Sequence, residues 1–396
     1  MRTQVGIVGA GPAGLFLSLL LHRAGVDCVV LEAKSRDYVE SRVRAGVLEQ
    51  GTVDLMDELG AGERLHREGM LDPRLDIRFS GGIIHIDLPV LTPGKIVTVY
   101  GQQEVVKDLI AARLNRGGAI LFEAEATHID GLDGKRPTIH FKREGKNDGK
   151  HETLECDVVA GCDGFHGICR AAIPENLLTI YDRNLPFGWL GILAEAKPFP
   201  EMSYSNHERG FALASRRSPK LSRLYVQCSA DEDLAGWPDR RIWDELHTRL
   251  YDKDGGELHE GPIVQRGVTP VRSYVAAPMR HGRMFLAGDA VHIVPPTGAK
   301  GLNLAVADVR VLSRALIEFF RTGATERLDR YSDTCLKRVW KVTRYSNYMT
   351  SLLHRFETHS TFERRVQQAE LEYVAGSLAA RTTIGENYVG LPFEED

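Results

Sequence analysis

Gly9-Ala10-Gly11-Pro12-Ala13-Gly14 lies between an apolar run, Val5 to Val8, and a leucine-rich run of helical character, Leu15 to Leu21. The pattern describes a strand, a glycine turn and a helix whose first backbone amides can hold a pyrophosphate. Gly9 permits the tight turn, Gly11 lets phosphate approach the main chain, and Gly14, next to Ala13, lets the helix pack on the strand. A second apolar segment, Cys28 to Leu31, ends in Glu32. An acid there accepts hydrogen bonds from a ribose 2′-hydroxyl and repels a 2′-phosphate. The unit therefore favours the adenosine of FAD or NAD over that of NADP.

The rest of the chain is of ordinary globular composition. Its 396 residues exceed what a single core usually holds, so two structural regions are expected. With 50 basic and 54 acidic residues the net charge is only -4, which supplies neither a nucleic-acid surface nor a polybasic membrane patch. A small molecule is the expected partner. Leu15 to Leu21 is too short to span a bilayer, so a soluble chain without a membrane role is expected. The six cysteines are scattered, with no Cys-x-x-Cys pair and no histidine at metal-ligand spacing. No metal is expected, and a reduced cytoplasmic setting fits best.

Downstream, Ser41-Arg42-Val43-Arg44-Ala45-Gly46 is a basic connection beside the expected pyrophosphate site. Arg42 and Arg44 either neutralise phosphate charge or belong to a solvated loop, with Arg44 adjoining the next helix start. Helical spacing from Val47 to Leu59 stops at Gly60. From Leu75 the residues alternate as in strands, with a turn at Gly81-Gly82. Gln102, between the Val97 to Tyr100 segment and a helix from Gln103 to Arg113, is either a cap or a cofactor ligand. Residues 118 to 159 read as strands with a polar turn from Glu144 to Lys150, and they lead into Gly161-Cys162-Asp163-Gly164. Asp163 is placed to bond a ribose or an amide, and His166 and Arg170 to meet phosphates, although a simple Asp-Gly turn has the same form.

The segment from 184 to 275 reads as successive strands, among them Met202 to Ser205, Phe211 to Arg217 and Arg223 to Gln227. Ser215 and Arg217, two apart, project on one face, and Tyr225 lies on the neighbouring strand. A hydroxyl, a guanidinium and a phenol converging there would hold a carboxylate; exposed strand residues are the alternative. A buried strand then ends in Gly288-Asp289, and Pro295-Pro296-Thr297-Gly298-Ala299-Lys300-Gly301-Leu302-Asn303 opens a long helix. This second glycine-rich helix start suits the far end of one extended cofactor. No second Gly-x-Gly-x-x-Gly follows, so a nicotinamide donor has no Rossmann domain of its own here.

Taken together, these glycine and Gly-Asp motifs resemble those of the class A flavoprotein aromatic hydroxylases, over almost the whole chain. The segments 42–51, Phe187-Gly188-Trp189-Leu190-Gly191 and Glu386-Asn387-Tyr388-Val389-Gly390-Leu391-Pro392 are more specific than any fold-wide fingerprint. The resemblance implies an α/β chain with α+β elements. A Rossmann-like FAD-binding domain with C-terminal helices (1–75, 100–183 and 268–396) would interleave with a smaller, mostly antiparallel β-sheet substrate domain (76–99 and 184–267). It further implies a homodimer that hydroxylates 4-hydroxybenzoate at C3 with O2 and NAD(P)H, by way of a flavin C4a-hydroperoxide. Hydroxylation of a related phenolic acid, or an FAD reductase that transfers no oxygen, are the alternatives.

Position by position, the resemblance implies that Ser215, Arg217 and Tyr225 hold the substrate carboxylate. Tyr204 and Tyr388 would relay the proton of the 4-hydroxyl, which the Pro296 carbonyl would face. FAD would contact Glu32, Arg42, Arg44, Gln102, Asp163, Asp289, Lys300 and the amides near Leu302 and Asn303, together with Gly9, Gly11, Ala13 and Gly14. The nicotinamide nucleotide would meet Lys34, Arg44, His166 and Arg272. Two departures stand out. Relatives end the proton relay at a histidine, where this chain has Asp72 followed by Pro73. In Ala33-Lys34-Ser35, a stretch that varies with nucleotide choice, Lys34 can pair with a 2′-phosphate and leans the expectation towards NADPH, with NADH close behind.

Overall fold

The apolar runs around the glycine turn become the centre of a parallel sheet. In the computed structural model, which describes residues 1–44, 46–143, 151–250 and 258–393, Arg2–Val8 pairs in parallel with Cys28–Leu31 and with His151–Gly161. Ala119–Leu121 and Met284–Leu286 extend the sheet in parallel on its two sides. Such strands are covered on both faces and so read as continuous apolar runs rather than alternating ones. Val5, Ile7, Val30 and Leu286 are accordingly sealed from solvent. Thr138–Arg143 and Ala124–Asp130 add an antiparallel extension; the expected polar turn at 144–150 lies outside the described residues.

The helix Pro12–Arg23 packs on the long helix Gly301–Thr322. Two glycine-rich helix starts that are far apart in sequence thereby come together. Close approach dictates the residue type at the first of them. Gly9 has φ +103°, and a Cβ there would stand 2.3 Å from the Cys162 carbonyl oxygen; a Cβ on Gly14 would stand 2.0 Å from the Gly9 oxygen. The helix expected from Val47 begins instead at Gln50, because Val47–Leu48 pairs with Val97–Val99 in a small sheet that also contains Met70–Asp72.

A second large sheet runs in the order His292–Ile293, Ile263–Ala277, Thr179–Ala194, Leu221–Cys228, Ala212–Ser218, Met202–Ser205, Arg74–Phe79, Gly82–Asp87. All its pairings are antiparallel except that of Met202–Ser205 with Arg74–Phe79. Among the described residues it has eight strands, as many as the first sheet. The boundaries expected at 183/184 and 267/268 fall inside the continuous strands Thr179–Ala194 and Ile263–Ala277, which carry the chain from one region into the other.

The helix Asp239–Leu250 covers one face of this sheet through Trp243, Leu246 and Leu250. The opposite face is closed by the C-terminal helices. Tyr345, Met349 and Leu353 of Glu326–Leu353, and Tyr388 of Leu378–Val389, share a buried cluster with Ile77, Tyr204 and Leu213. The candidate site residues lie at this inner face and at the paired helix starts.

Candidate active site

The two helix starts wall one cavity of about 270 Å³. Gly9, Gly11 and Ala13 of the first motif, Glu32 and Lys34, Arg42 and Arg44, Gln102, Asp163, Asp289 and Leu302 all line it. A Cβ on Gly11 or on Gly301 would meet no protein atom within 4 Å, so each glycine leaves its space to the cavity. Neither helix start carries a side-chain cap. Uncapped amides and open glycines form a cradle suited to the pyrophosphate of FAD. Glu32 is held ready at the far end, accepting from the Ala10 amide at 2.8 Å and the Lys34 amide at 2.9 Å. These bonds orient the carboxylate and leave lone pairs for a ribose diol.

Asp163 accepts from the Cys169 amide at 2.9 Å through Oδ2, while its Oδ1 is buried without a partner. Burial pushes its carboxyl up. Asp289 is open to the cavity but walled by protein on its other sides; desolvation raises its carboxyl, and His292, Arg44 and Arg42 oppose that shift. Two residues expected at the cofactor have other commitments. Asn303 spends its side chain on the Glu49 amide, the Thr52 hydroxyl and the Val47 carbonyl, leaving only its main chain to a ligand. Lys300 is buried and donates to Glu49 Oε1 at 2.7 Å and to the Tyr388 carbonyl at 2.8 Å. Glu49 is also approached by Arg338 at 3.5 Å, so Lys300 belongs to an internal charge cluster behind the cavity.

Phe165 brings together two of the residues expected at the nicotinamide nucleotide, while Lys34 and Arg44 line the first cavity. The His166 ring meets it edge-on at 5.0 Å, and the Arg272 guanidinium lies over it at 4.3 Å. Arg272 is also paired with Asp182 at 2.7 Å. Arg170, read from sequence as a phosphate contact, is instead tied to the Ala290 and Phe165 carbonyls.

On the inner face of the second sheet, Tyr204 pairs with Leu213, Leu213 with Tyr225, and Ser215 with Arg223. Side chains alternate along a strand, so Tyr204, Ser215, Arg223 and Tyr225 share this face; Arg217, at the break in register between Arg216 and Ser218, lies beside Tyr225 and Arg223. Arg223 was not singled out from sequence. Its Nε donates to the Tyr225 hydroxyl at 3.0 Å and its Nη1 is buried without a partner. Arg217 Nη2 donates to the Arg44 carbonyl at 2.9 Å, and its Nε is likewise unpartnered. Two guanidiniums thus keep unused buried donors side by side, an arrangement chemically suited to pairing with a carboxylate. Behind them, Trp189 Nε1 donates to His354 Nε2 at 2.7 Å. Burial pushes that imidazole down to about 3, so it stays neutral, with its other nitrogen on the Thr350 carbonyl. Trp189 in turn packs against Tyr225, with ring centroids 5.0 Å apart.

On the same face Tyr204 packs in one cluster with Tyr388, and both are almost wholly buried. Burial pushes both hydroxyls above the usual phenol range; Tyr388, acting as donor towards Tyr204, pulls the Tyr204 value partly back. Among the described residues no atom satisfies the Tyr388 hydroxyl in good hydrogen-bond geometry, so this contact is looser than a formed bond. Pro296 is exposed in the turn Pro296–Gly298, and its carbonyl accepts from the Ala299 amide while keeping a second lone pair. Asp72 is buried, and burial raises its carboxyl to about 6 against the pull of Arg216. All six cysteines are buried and unpaired, and no cluster suited to a metal occurs among the described residues.

Comparison with known proteins shows the family. The FAD binding domain family matches residues 2–346. The p-hydroxybenzoate hydroxylase of Acinetobacter baylyi (strain ATCC 33305 / BD413 / ADP1) is 48% identical over 395 residues, covering 100% of this chain and 96% of the relative. The para-nitrophenol 4-monooxygenase of Pseudomonas sp. (strain WBC-3) is 28% identical over 83% of this chain and 81% of its own length. The fold is shared with the crystal structure of p-nitrophenol 4-monooxygenase PnpA from Pseudomonas putida DLL-E4, with a TM-score of 0.83, 23% identity and 99% of each chain covered. The chain is thus an enzyme of the FAD binding domain family, a class A flavoprotein aromatic hydroxylase that uses FAD with NAD(P)H as electron donor.

Proposed function

We propose that this chain hydroxylates 4-hydroxybenzoate at C3, giving 3,4-dihydroxybenzoate, with NADPH preferred to NADH. The observation that carries the reading is one sheet face bearing Arg223, Ser215 and Tyr225 together with Tyr204, with Arg217 beside them and Tyr388 packed in the same cluster as Tyr204. A benzoate carboxylate is taken by the guanidiniums and the hydroxyls, which fixes the ring and leaves its para hydroxyl for the tyrosine pair and the Pro296 carbonyl. FAD supplies the activation of O2 once it has been reduced by the nicotinamide. The protein's own task is to make the ring a better nucleophile. Ionising the 4-hydroxyl raises electron density at the ortho carbon, and a phenol with an unperturbed pKa near 10 does so only if its charged form is favoured. Tyr388 donates towards Tyr204, which leaves the Tyr204 proton for the phenolate oxygen. The closed aromatic cluster keeps bulk water away from the reacting atoms.

Oxygen uptake and product chromatography with 4-hydroxybenzoate, run with NADPH and with NADH, test the reading. Product formed in step with NADPH oxidation is expected. Oxygen returned entirely as hydrogen peroxide would make 4-hydroxybenzoate an effector and not the substrate. Lys34→Ala should raise the KM for NADPH more than that for NADH; an equal change in both would remove Lys34 from the nucleotide preference.

No helix among the described residues is long and apolar enough to cross a membrane. The six free cysteines support a cytoplasmic location. A homodimer is supported by the helix Thr361–Gly376, which leaves Phe362, Val366 and Tyr373 exposed on one face, beside exposed Leu378. Sedimentation of Phe362→Glu against the parent chain tests that interface, with a monomer expected for the variant.

A further inference from the structure

Asp72 ends the short strand Met70–Asp72 and is 1% exposed, yet neither of its carboxylate oxygens has a partner in hydrogen-bond geometry. The cation that approaches it is Arg216, whose Nη2 stands 3.3 Å from Oδ2. Arg216 is anchored beside the carboxylate rather than by it, because the same Nη2 donates to the Leu71 carbonyl at 3.0 Å. The Arg216 side chain is 20% exposed, so it reaches from the buried acid to solvent. The other groups that face Asp72 are few. Glu201 opposes its charge, and the Arg74 main chain favours it. The Arg74 side chain is committed to Asp76 at 3.0 Å and Glu201 at 3.7 Å. Tyr204 and Tyr388 feel the Asp72 charge from the substrate sheet and the C-terminal helix.

We propose that Arg216 is a positioning residue for the hydroxylation: it keeps Asp72 a carboxylate, poised between the Tyr204–Tyr388 pair and solvent, so that the proton of the bound phenol leaves through Asp72. The proposal rests on the reading that a phenolic acid ionises at Tyr204. The transfer moves one proton and no electrons. The phenol O–H bond breaks towards Tyr204, Tyr204 passes its own proton to Tyr388, Tyr388 gives its own to a bridging water, which the absence of a direct Tyr388–Asp72 bond requires, that water gives up a proton to Asp72, and Asp72 yields it to solvent. The end state has Tyr388 donating to Tyr204 and Tyr204 donating to the phenolate. A buried carboxylate beside Glu201 without a guanidinium would hold its own proton at neutral pH and could accept none. Arg216 keeps the acceptor open.

The test follows the ionisation of enzyme-bound 4-hydroxybenzoate by its absorption, against pH and after a pH jump, in the FAD-loaded enzyme. Arg216→Gln should move the acid limb of ionisation and of product formation up by at least about one pH unit. It should also slow the jump response at neutral pH roughly tenfold. Arg216→Lys should restore most of both. Asp72→Asn should slow the response similarly, and adding Arg216→Gln to it should cost nothing further. Arg216→Gln or Asp72→Asn with the parental pH limb and jump rate would overturn the proposal while leaving the substrate assignment intact. If Arg216→Gln fails to fold, Arg216→Lys and Asp72→Asn decide the matter by the same readouts. A parent enzyme that never ionises bound 4-hydroxybenzoate would overturn both readings.

Discussion

Arg217 Nη2 donates a 2.9 Å hydrogen bond to the main-chain carbonyl of Arg44, joining the second sheet to a loop that lines the cavity at the paired helix starts. The bond uses one guanidinium nitrogen and leaves Nε buried and unpartnered. Arg217→Ala should therefore raise the Kd for 4-hydroxybenzoate about tenfold to a hundredfold, the loss expected for one charged hydrogen bond. FAD affinity should change far less, because the Arg44 carbonyl is exposed to water once the guanidinium is gone. Parallel titrations of substrate and flavin check this, and equal loss of both would sink the carboxylate role.

The Tyr388 hydroxyl is buried without a well-formed bond, so removing it relieves an unsatisfied group rather than breaking a satisfied one. Tyr388→Phe should leave thermal stability unchanged or slightly raised. Both Tyr388→Phe and Tyr204→Phe should permit flavin reduction by the nicotinamide and yet lower hydroxylation by at least about a hundredfold, the usual weight of a positioned proton-transfer group. Anaerobic reduction rates measured beside product yield separate the two steps. Normal product yield in both variants would remove the tyrosines from the proton path.

Asp72 connects that path to stability. Its carboxyl is raised from the ordinary 3.8 to about 6, chiefly by desolvation. Between those values the folded chain holds a proton that the unfolded chain has released, so the stability contributed by Asp72 falls as pH rises through that window. The difference amounts to about 3 kcal/mol by linkage. Asp72→Asn should abolish this fall and make the holoenzyme more stable than the parent at neutral pH, while at pH 4 the two should converge. Urea unfolding across that range is the measurement. A group that weakens the fold in the range where it is ionised is better explained by function than by packing.

Local pattern made the elements readable and distance hid the partnerships. Cys28–Leu31 and Met202–Ser205 carry their signal within four residues each. That Met202–Ser205 pairs in parallel with Arg74–Phe79 is a contact across the chain that no local spacing announces. Lys300 illustrates the same limit. Its place in a glycine-rich helix start suggests a cofactor ligand, but its ammonium is claimed by Glu49, 251 residues away. Arg223 carried one faint signal, its spacing of two from Tyr225, which puts both on one face. Arg216 carried none, since its partners Leu71 and Asp72 belong to another sheet.

The glycines of the opening turn separate cofactor binding from folding in a way that substitution can read. Gly11 has φ -73°, which any residue adopts, and an added Cβ would meet no protein atom; it would enter the cavity. Gly11→Ala should leave the apoprotein as stable as the parent or better by about 0.4–1 kcal/mol, through the reduced freedom of its unfolded chain. FAD affinity should fall sharply, because the methyl occupies the approach of the pyrophosphate to the first helical amides. Gly14→Ala makes the opposite prediction. Its Cβ would stand 2.0 Å from the Gly9 carbonyl oxygen, so strand and helix must part whether or not FAD is bound. Apoprotein unfolding and flavin titration on both variants distinguish the roles. If Gly11→Ala bound FAD as the parent does, the pyrophosphate would have to lie elsewhere than at this turn.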